Sequence, residues 1–230
     1  MSNHLKRYFA PKSWKIKRKG IKFVSKPSPG THTIGLSMPL NVIIRDMLGY
    51  AKNNKEVKYI LEKKDVTVDG RKKRDYRFPV GLFDVLSFTD IDEHFRVILD
   101  RKGKISIVKI GKEESKLKPY KVIGKSTLKG KLQLNLSNGE NLFADNNKLK
   151  VGDSVLINLG KKHEIKEKIA LDKGATIFLT GGKHIGEIGR IQDIKGKNII
   201  YNTEAGEGFE TLKDYVFPVG KDKPLITLSK

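Results

Sequence analysis

The chain has no cysteine. No disulfide can staple it, and no thiolate can bind a metal or act as a nucleophile. Uninterrupted apolar runs never exceed three residues, a pattern that predicts neither a membrane-spanning helix nor the apolar stretch of a secretory leader. Histidine is scarce, at positions 4, 32, 94, 163 and 184, and the scatter gives no zinc-ligand spacing. There is no G-x-S-x-G elbow and no H-E-x-x-H helix. Gly124-Lys125-Ser126-Thr127 looks like the end of a phosphate-binding loop, but Pro119 stands where that loop needs its first glycine. The acidic pairs Asp92-Glu93 and Glu113-Glu114 sit in polar surroundings that suit a solvated surface. No enzyme activity, cofactor, metal or small-molecule substrate is expected.

Positive charge is what the sequence has in excess. Among 230 residues, 47 lysines and arginines face 26 acids, a formal net charge of +21. Solubility needs far less, so a polyanionic partner is expected, nucleic acid or an anionic membrane surface. No basic amphipathic helix is visible to favour the membrane. The excess is unevenly placed: residues 1–45 carry ten bases and no acid, whereas residues 171–230 carry nine bases and eight acids. The first stretch has no periodic apolar face and contains Pro11, Pro27, Pro29 and Gly30. It reads as a basic arm over residues 1–36 that is disordered alone and orders on its partner. Tyr8, Phe9, Trp14 and Phe23 are interleaved among the bases, which suits stacking on nucleobases or docking in a groove. A solvated tail serving only solubility is the alternative.

Periodicity then appears. Ser37 and Pro39 open a helix with Leu40, Ile43, Ile44, Met47 and Leu48 on one face and Gly49 as its stop. A second helix starts at Asn53 or Asn54 and buries Val57, Ile60 and Leu61. Val66 and Val68 alternate in a strand ending at the turn pair Asp69-Gly70, followed at once by Arg71, Lys72, Lys73 and Arg74. With the strand at 84–86, these elements make a compact αβ module over residues 37–92. Residues 93–170 read as a central β domain. Phe95, Val97 and Leu99, then Ile105 and Ile107, then Leu132, Leu134 and Leu136 alternate, with Asn138-Gly139 as a hairpin signal. Residues 171–230 are β again, with short strands that suit a small barrel. Gly181, Gly182, Gly186 and Gly189 punctuate a strand–loop–strand unit beside Lys183, His184 and Arg190. Such a corner either brings backbone close to a phosphate or base, or is only a tight structural bend.

His4-Leu5-Lys6-Arg7, Ala10-Pro11-Lys12-Ser13-Trp14, Arg18-Lys19 and Lys22-Phe23 resemble the N-terminus of the small-subunit ribosomal protein S-four-e family. Pro27-x-Pro29-Gly30-x-His32 and Ser37-Met38-Pro39-Leu40 continue the likeness, with Thr31 in place of an expected proline. Residues 38–88 resemble the small RNA-binding domain named after bacterial ribosomal protein S-four, and residues 174–194 resemble a KOW motif opening an SH3-like barrel. The resemblance implies an α+β multidomain protein: basic arm, S-four-like αβ domain, central β domain, C-terminal SH3-like β-barrel. It implies a cytoplasmic structural constituent of the small ribosomal subunit. Its partners would be small-subunit rRNA, in the 5′ domain of the body, and neighbouring ribosomal proteins. The length, short of a eukaryotic C-terminal extension, points to an archaeal member. The expected RNA contacts are Lys6, Arg7, Lys12, Trp14, Lys15, Lys17, Arg18, Lys19 and Lys22 in the arm. Arg45, Lys58, Lys63, Lys64, Arg71, Lys72, Lys73 and Arg74 follow in the αβ module, with Lys183 and His184 at the glycine corner. The competing readings are an RNA-modifying enzyme, or a free KOW-type translation or transcription factor, that uses an S-four-like module.

Overall fold

The computed structural model describes residues 4–128, 130–144, 149–160, 164–203 and 206–228. His163 lies outside them. The chain divides into two compact units, Met1–Leu99 with Gly103–Lys116, and Asp100–Lys102 with Leu117–Lys230. It is mostly β, with several antiparallel sheets and few helices.

In the first unit the helix expected from Ser37 onward is only partly formed. Ser37–Pro39 is instead a fully buried strand paired with Pro79–Gly81. A single helical turn, Leu40–Val42, widens into a π-type turn, Ile43–Met47, and Gly49 closes it at φ +73°. The second helix, Asn54–Lys63, is as expected. Asn53 caps it by accepting from the Glu56 amide at 3.0 Å, and the Glu56 carboxylate accepts from the Lys52 amide at 2.7 Å. Val57 and Leu61 face inward, Ile60, expected with them, is only half-buried, and Lys58 and Lys63 are left in solvent. Asp69 and Gly70 both take left-handed φ, +52° and +72°, giving the two-residue hairpin between Val66–Val68 and Arg71–Lys72.

The sheet of this hairpin has five strands, in the order Arg71–Lys72, Val66–Val68, Val85–Phe88, Glu93–Leu99, Ile105–Ile110. The boundary expected at residue 92 therefore falls inside a sheet. Glu93–Leu99 pairs with Val85–Phe88 and is buried along nearly its whole length. Its alternation was legible, but which neighbour it joins is a non-local choice.

The basic arm departs most from expectation. It is a belt folded onto the first unit. Leu5–Lys6 pairs with Phe23–Val24, and Trp14 is 1% exposed, its indole N–H donating to the Ser37 carbonyl at 2.7 Å. Gly30 and His32 seat the far end. A side chain at Gly30 would collide with the Pro79 ring, and one at Gly81 with the His32 imidazole. His32 Nε2 meets Asp84 Oδ1 at 2.8 Å, while the Gly81 amide donates to Asp84 Oδ2 at 2.9 Å. The belt needs no apolar face of its own because it borrows the unit's core at a few bulky residues.

The second unit holds two five-stranded sheets with separate cores. In the first, the long strand Leu117–Leu128 pairs along one half with Ser154–Asn158 and along the other with Lys131–Leu136. Tyr120, Val122, Leu134 and Val155 fill its core. Gly124-Lys125-Ser126-Thr127 lies mid-strand, with no loop to cradle phosphate. In the second, the order is Gly208–Leu212, Asn198–Thr203, Ile188–Lys195, Thr176–Leu179, Val216–Gly220, over Ile177, Ile191, Ile199 and Tyr201. Lys121 ties the two together. Its ammonium donates to the carbonyls of Lys213 at 3.0 Å, Asp214 at 3.1 Å and Val216 at 2.7 Å.

In free protein, the amides of Arg7, Ala10, Trp14 and Ser28, each bonded to a carbonyl, are protected from hydrogen exchange. Trp14→Ala loses that protection and costs about 3–5 kcal/mol; free exchange in the parent chain would restore the disordered arm. Burial pushes the Lys121 ammonium down to about 8, against the opposing pull of Asp214. An unfolded lysine keeps its proton to about 10.4, so between these values the folded state binds fewer protons and stability from this group rises with pH. Denaturant midpoints at pH 7.5 and 10 then show the parent gaining on Lys121→Met as pH rises, and a constant difference refutes it.

Candidate nucleic-acid interface

The belt sorts its cations by chemistry. Arg7 is buried, donating from Nη1 to the Lys17 carbonyl at 2.9 Å with Nη2 3.7 Å from Asp46. Arg18 is half-buried and donates to the carbonyls of Arg7, Ala10 and Pro11 at 3.0, 2.5 and 2.7 Å. A planar fork can gather several carbonyls in this way; a lysine cannot match its geometry. These arginines and Trp14, all expected as RNA contacts, are spent on folding the belt. Trp14 is inaccessible to a base, and its bulk is worth more in the core. Lys6, Lys12, Lys15, Lys17, Lys19 and Lys22 stay exposed. So do Tyr8, 79% exposed, and Phe9, 68% exposed, an edge-to-face pair on the short turn Arg7–Phe9. Arg18 pins the Arg7 carbonyl at the start of that turn and the Ala10 carbonyl just after it, so the rings project from fixed backbone.

The cluster after the Asp69-Gly70 turn is brought to the helix Asn54–Lys63 through aromatic rings. Lys58 Nζ lies 4.9 Å and the Arg77 guanidinium 5.8 Å from the Tyr76 ring centre, and Lys73 lies 4.3 Å from that of Phe78. Arg71, Lys72 and Arg74 are exposed, as are Lys63 and Lys64. Two of these cations have acidic neighbours, Lys72 with Asp65 and Lys64 with Asp90 at 3.1 Å. The Lys72 contact holds the Asp65 carboxyl below its usual range. Exposed pairs of this kind are weak and screened by solvent, so a phosphate can displace the acid. Arg45 is set apart, clasped by Asp46 at 2.8 and 2.9 Å, a hydrogen bond that raises its pKa. Arg77 was not expected at this site. Its signal was a base following the 71–74 cluster between two aromatics, Tyr76 and Phe78.

In the second unit the glycine corner splits in two. Gly182 takes φ +85° with only loose neighbours around a would-be Cβ, and Lys183 beside it is exposed. His184 is committed to the protein: Nδ1 is 3.1 Å from Glu187 Oε2 and its ring centre lies 4.0 Å from that of Phe209. At Gly186, φ +81°, a side chain would collide with the Asp100 carbonyl. Gly186 is a packing position and Gly182 an open one.

The family comparison matches this architecture. The RS4NT (NUC023) domain matches residues 1–35, the extent of the belt, and Ribosomal family S4e matches residues 91–164. A protein of Methanosphaera stadtmanae described as small ribosomal subunit protein eS4 is 44% identical over 98% of this chain and 95% of its own. The chain belongs to the ribosomal family S4e. A Methanococcus aeolicus relative with the same description is 41% identical over 98% of this chain and 97% of its own. The crystal structure of the 30S ribosomal protein S4e from Thermoplasma acidophilum superposes with a TM-score of 0.70 at 31% identity. It covers 84% of this chain and 99% of that one.

The two glycines give a direct comparison. Both substitutions to alanine place a side chain at positive φ, at a cost of about 1 kcal/mol. Gly186→Ala adds the collision with Asp100 and lowers the thermal midpoint clearly further than Gly182→Ala. Equal losses would show that Gly186 is not a packing position.

Proposed function

We propose that this S4e chain is a structural constituent of the small ribosomal subunit in the cytoplasm, binding the 5′ domain of its rRNA without turnover. The observation that carries the reading is the belt: nine bases and no acid over residues 1–36, held on a folded unit with six lysines facing solvent. The belt lysines and the cluster at residues 58–74 act as point charges on phosphates, setting affinity without reading sequence. Tyr8 and Phe9, rather than Trp14, offer faces for unpaired bases. The last sheet, with its glycine corner between Thr176–Leu179 and Ile188–Lys195, is read as a KOW-bearing SH3-like barrel. Lys183 beside the open Gly182 is its candidate contact, and neighbouring ribosomal proteins are further partners. The small exposed pairs near the hairpin support the same reading, since phosphate exchange costs them little.

Filter binding to a 5′-domain rRNA fragment across a salt series tests it. Each phosphate neutralised adds roughly 0.7–0.9 to the slope of log affinity against log salt. Replacing residues 71–74 with glutamine flattens that slope, whereas Tyr8→Ala with Phe9→Ala keeps the slope and weakens preference for the rRNA fragment over a random RNA. A shallow slope in the parent, or an equal affinity for both RNAs, would defeat the proposal.

A further inference from the structure

Between Thr176–Leu179 and Ile188–Lys195 the chain turns through the glycine corner, and an aromatic ring from another part of the same sheet lies on it. That ring belongs to Tyr215, on the short turn Lys213–Tyr215 that follows the edge strand Gly208–Leu212. A side chain at Gly181 would collide with the ring, and one at Gly182 would come to 3.7 Å from it. We infer that Tyr215 is the specificity-determining contact of this corner, its ring stacking an unpaired RNA base whose phosphate is held by Lys183 and the amides of Gly182 and Lys183. The inference rests on the RNA reading and sharpens it to one site.

Three observations converge on a nucleotide. First, the ring is fixed without being hidden. The Thr180 amide and hydroxyl both donate to the Tyr215 carbonyl, at 2.9 and 3.0 Å, and Gly181 backs the ring, yet Tyr215 is 40% exposed. Tyr120 and Tyr201 of the same unit are buried in its cores. Tyr215 instead keeps aromatic surface in water, which a stacked base would cover. Second, the donors of the corner are unengaged. The amides of Gly181, Gly182 and Lys183 donate to no backbone carbonyl among the described residues, and successive free amides around a positive-φ residue form an anion-binding concavity. The acids around them are occupied: Glu187 by His184, and Glu210 by Asn198 at 2.8 Å. Asp214 acts on the buried Lys121 ammonium. Third, the loop is already set. The Gly186 amide donates to the Leu179 carbonyl at 2.8 Å and the Leu179 amide to that of Glu187 at 3.0 Å, so binding has little left to order. A phosphate alone would leave the ring unused, and an apolar protein side chain would leave Lys183 and the amides unmet. A nucleotide uses both.

The test is a heteronuclear NMR titration of the full chain, read at the Tyr215 ring and the amides of residues 181–183. The probes are hexaadenylate, an abasic ribose-phosphate hexamer and hexaglutamate. Hexaadenylate should shift ring and amides together, whereas the abasic hexamer should shift the amides and leave the ring still. Tyr215→Phe should hold hexaadenylate affinity at these signals within about twofold. Tyr215→Leu, which keeps an apolar cover on Gly181, should weaken it about tenfold and leave the abasic hexamer unaffected. Continued exchange protection of the Thr180 amide shows that the turn is intact in both variants. Should Tyr215→Leu disturb the turn, Lys183→Gln tests the phosphate half: it should weaken both hexamers at these signals and lower the salt slope there by roughly 0.7. Equal ring shifts with the two hexamers, or unchanged affinity in Tyr215→Leu, would overturn the stacking role. Hexamer binding confined to signals of the belt and of residues 71–74 would overturn this site and leave the RNA reading standing. No hexamer or rRNA binding at all would defeat both. Equal shifts with hexaglutamate would reassign the corner to an acidic peptide.

Discussion

Nine like charges in the first 36 residues repel one another, and the belt stays on the first unit because burial of a few bulky residues outweighs that repulsion. Trp14 contributes most: a fully buried indole whose N–H is satisfied by the Ser37 carbonyl. Burial of so large a ring is worth several kcal/mol, enough to outweigh the weak, screened repulsion among exposed lysines. The other end depends on shape. Gly30 lies against Pro79 and the His32 ring against Gly81 so closely that no Cβ fits, and the buried Asp84 locks the ring.

This docking turns an expected floppy arm into a surface with fixed positions. A disordered arm would surrender about 1–2 kcal/mol of backbone entropy per residue when it ordered on RNA. A seated belt has met that cost in folding, so its lysines and the Tyr8–Phe9 pair meet a partner already placed. Division of labour between the cations follows from their chemistry. Arg7 and Arg18 turn inward, where a fork can bond several carbonyls, and the lysines face outward, where a mobile point charge suffices.

The second unit shows the same economy with other means. Lys121 spends all three N–H groups on the carbonyls of Lys213, Asp214 and Val216, a charge used to join two small sheets whose separate cores are each modest. Glycine there has two distinct uses. Gly186 makes room for backbone, and Gly182 supplies a left-handed turn with space around it.

By itself the sequence determined whatever depends on near neighbours and on composition: the helix Asn54–Lys63 from its cap and its Val57–Leu61 spacing, the Asp69-Gly70 hairpin, and the alternation of the strands. The charge excess likewise pointed to a polyanionic partner, and the belt motifs to the S4e family. Tertiary structure alone decided that Ser37–Pro39 is a strand, since its partner Pro79–Gly81 lies some forty residues on. It decided that Glu93–Leu99 joins the first sheet, because alternation marks a strand but does not choose its neighbour. It also decided which belt residues are structural. Trp14 and Arg7 look, in one dimension, like aromatics and bases among many, and only the pocket and carbonyls that the rest of the chain brings to them separate anchors from contacts.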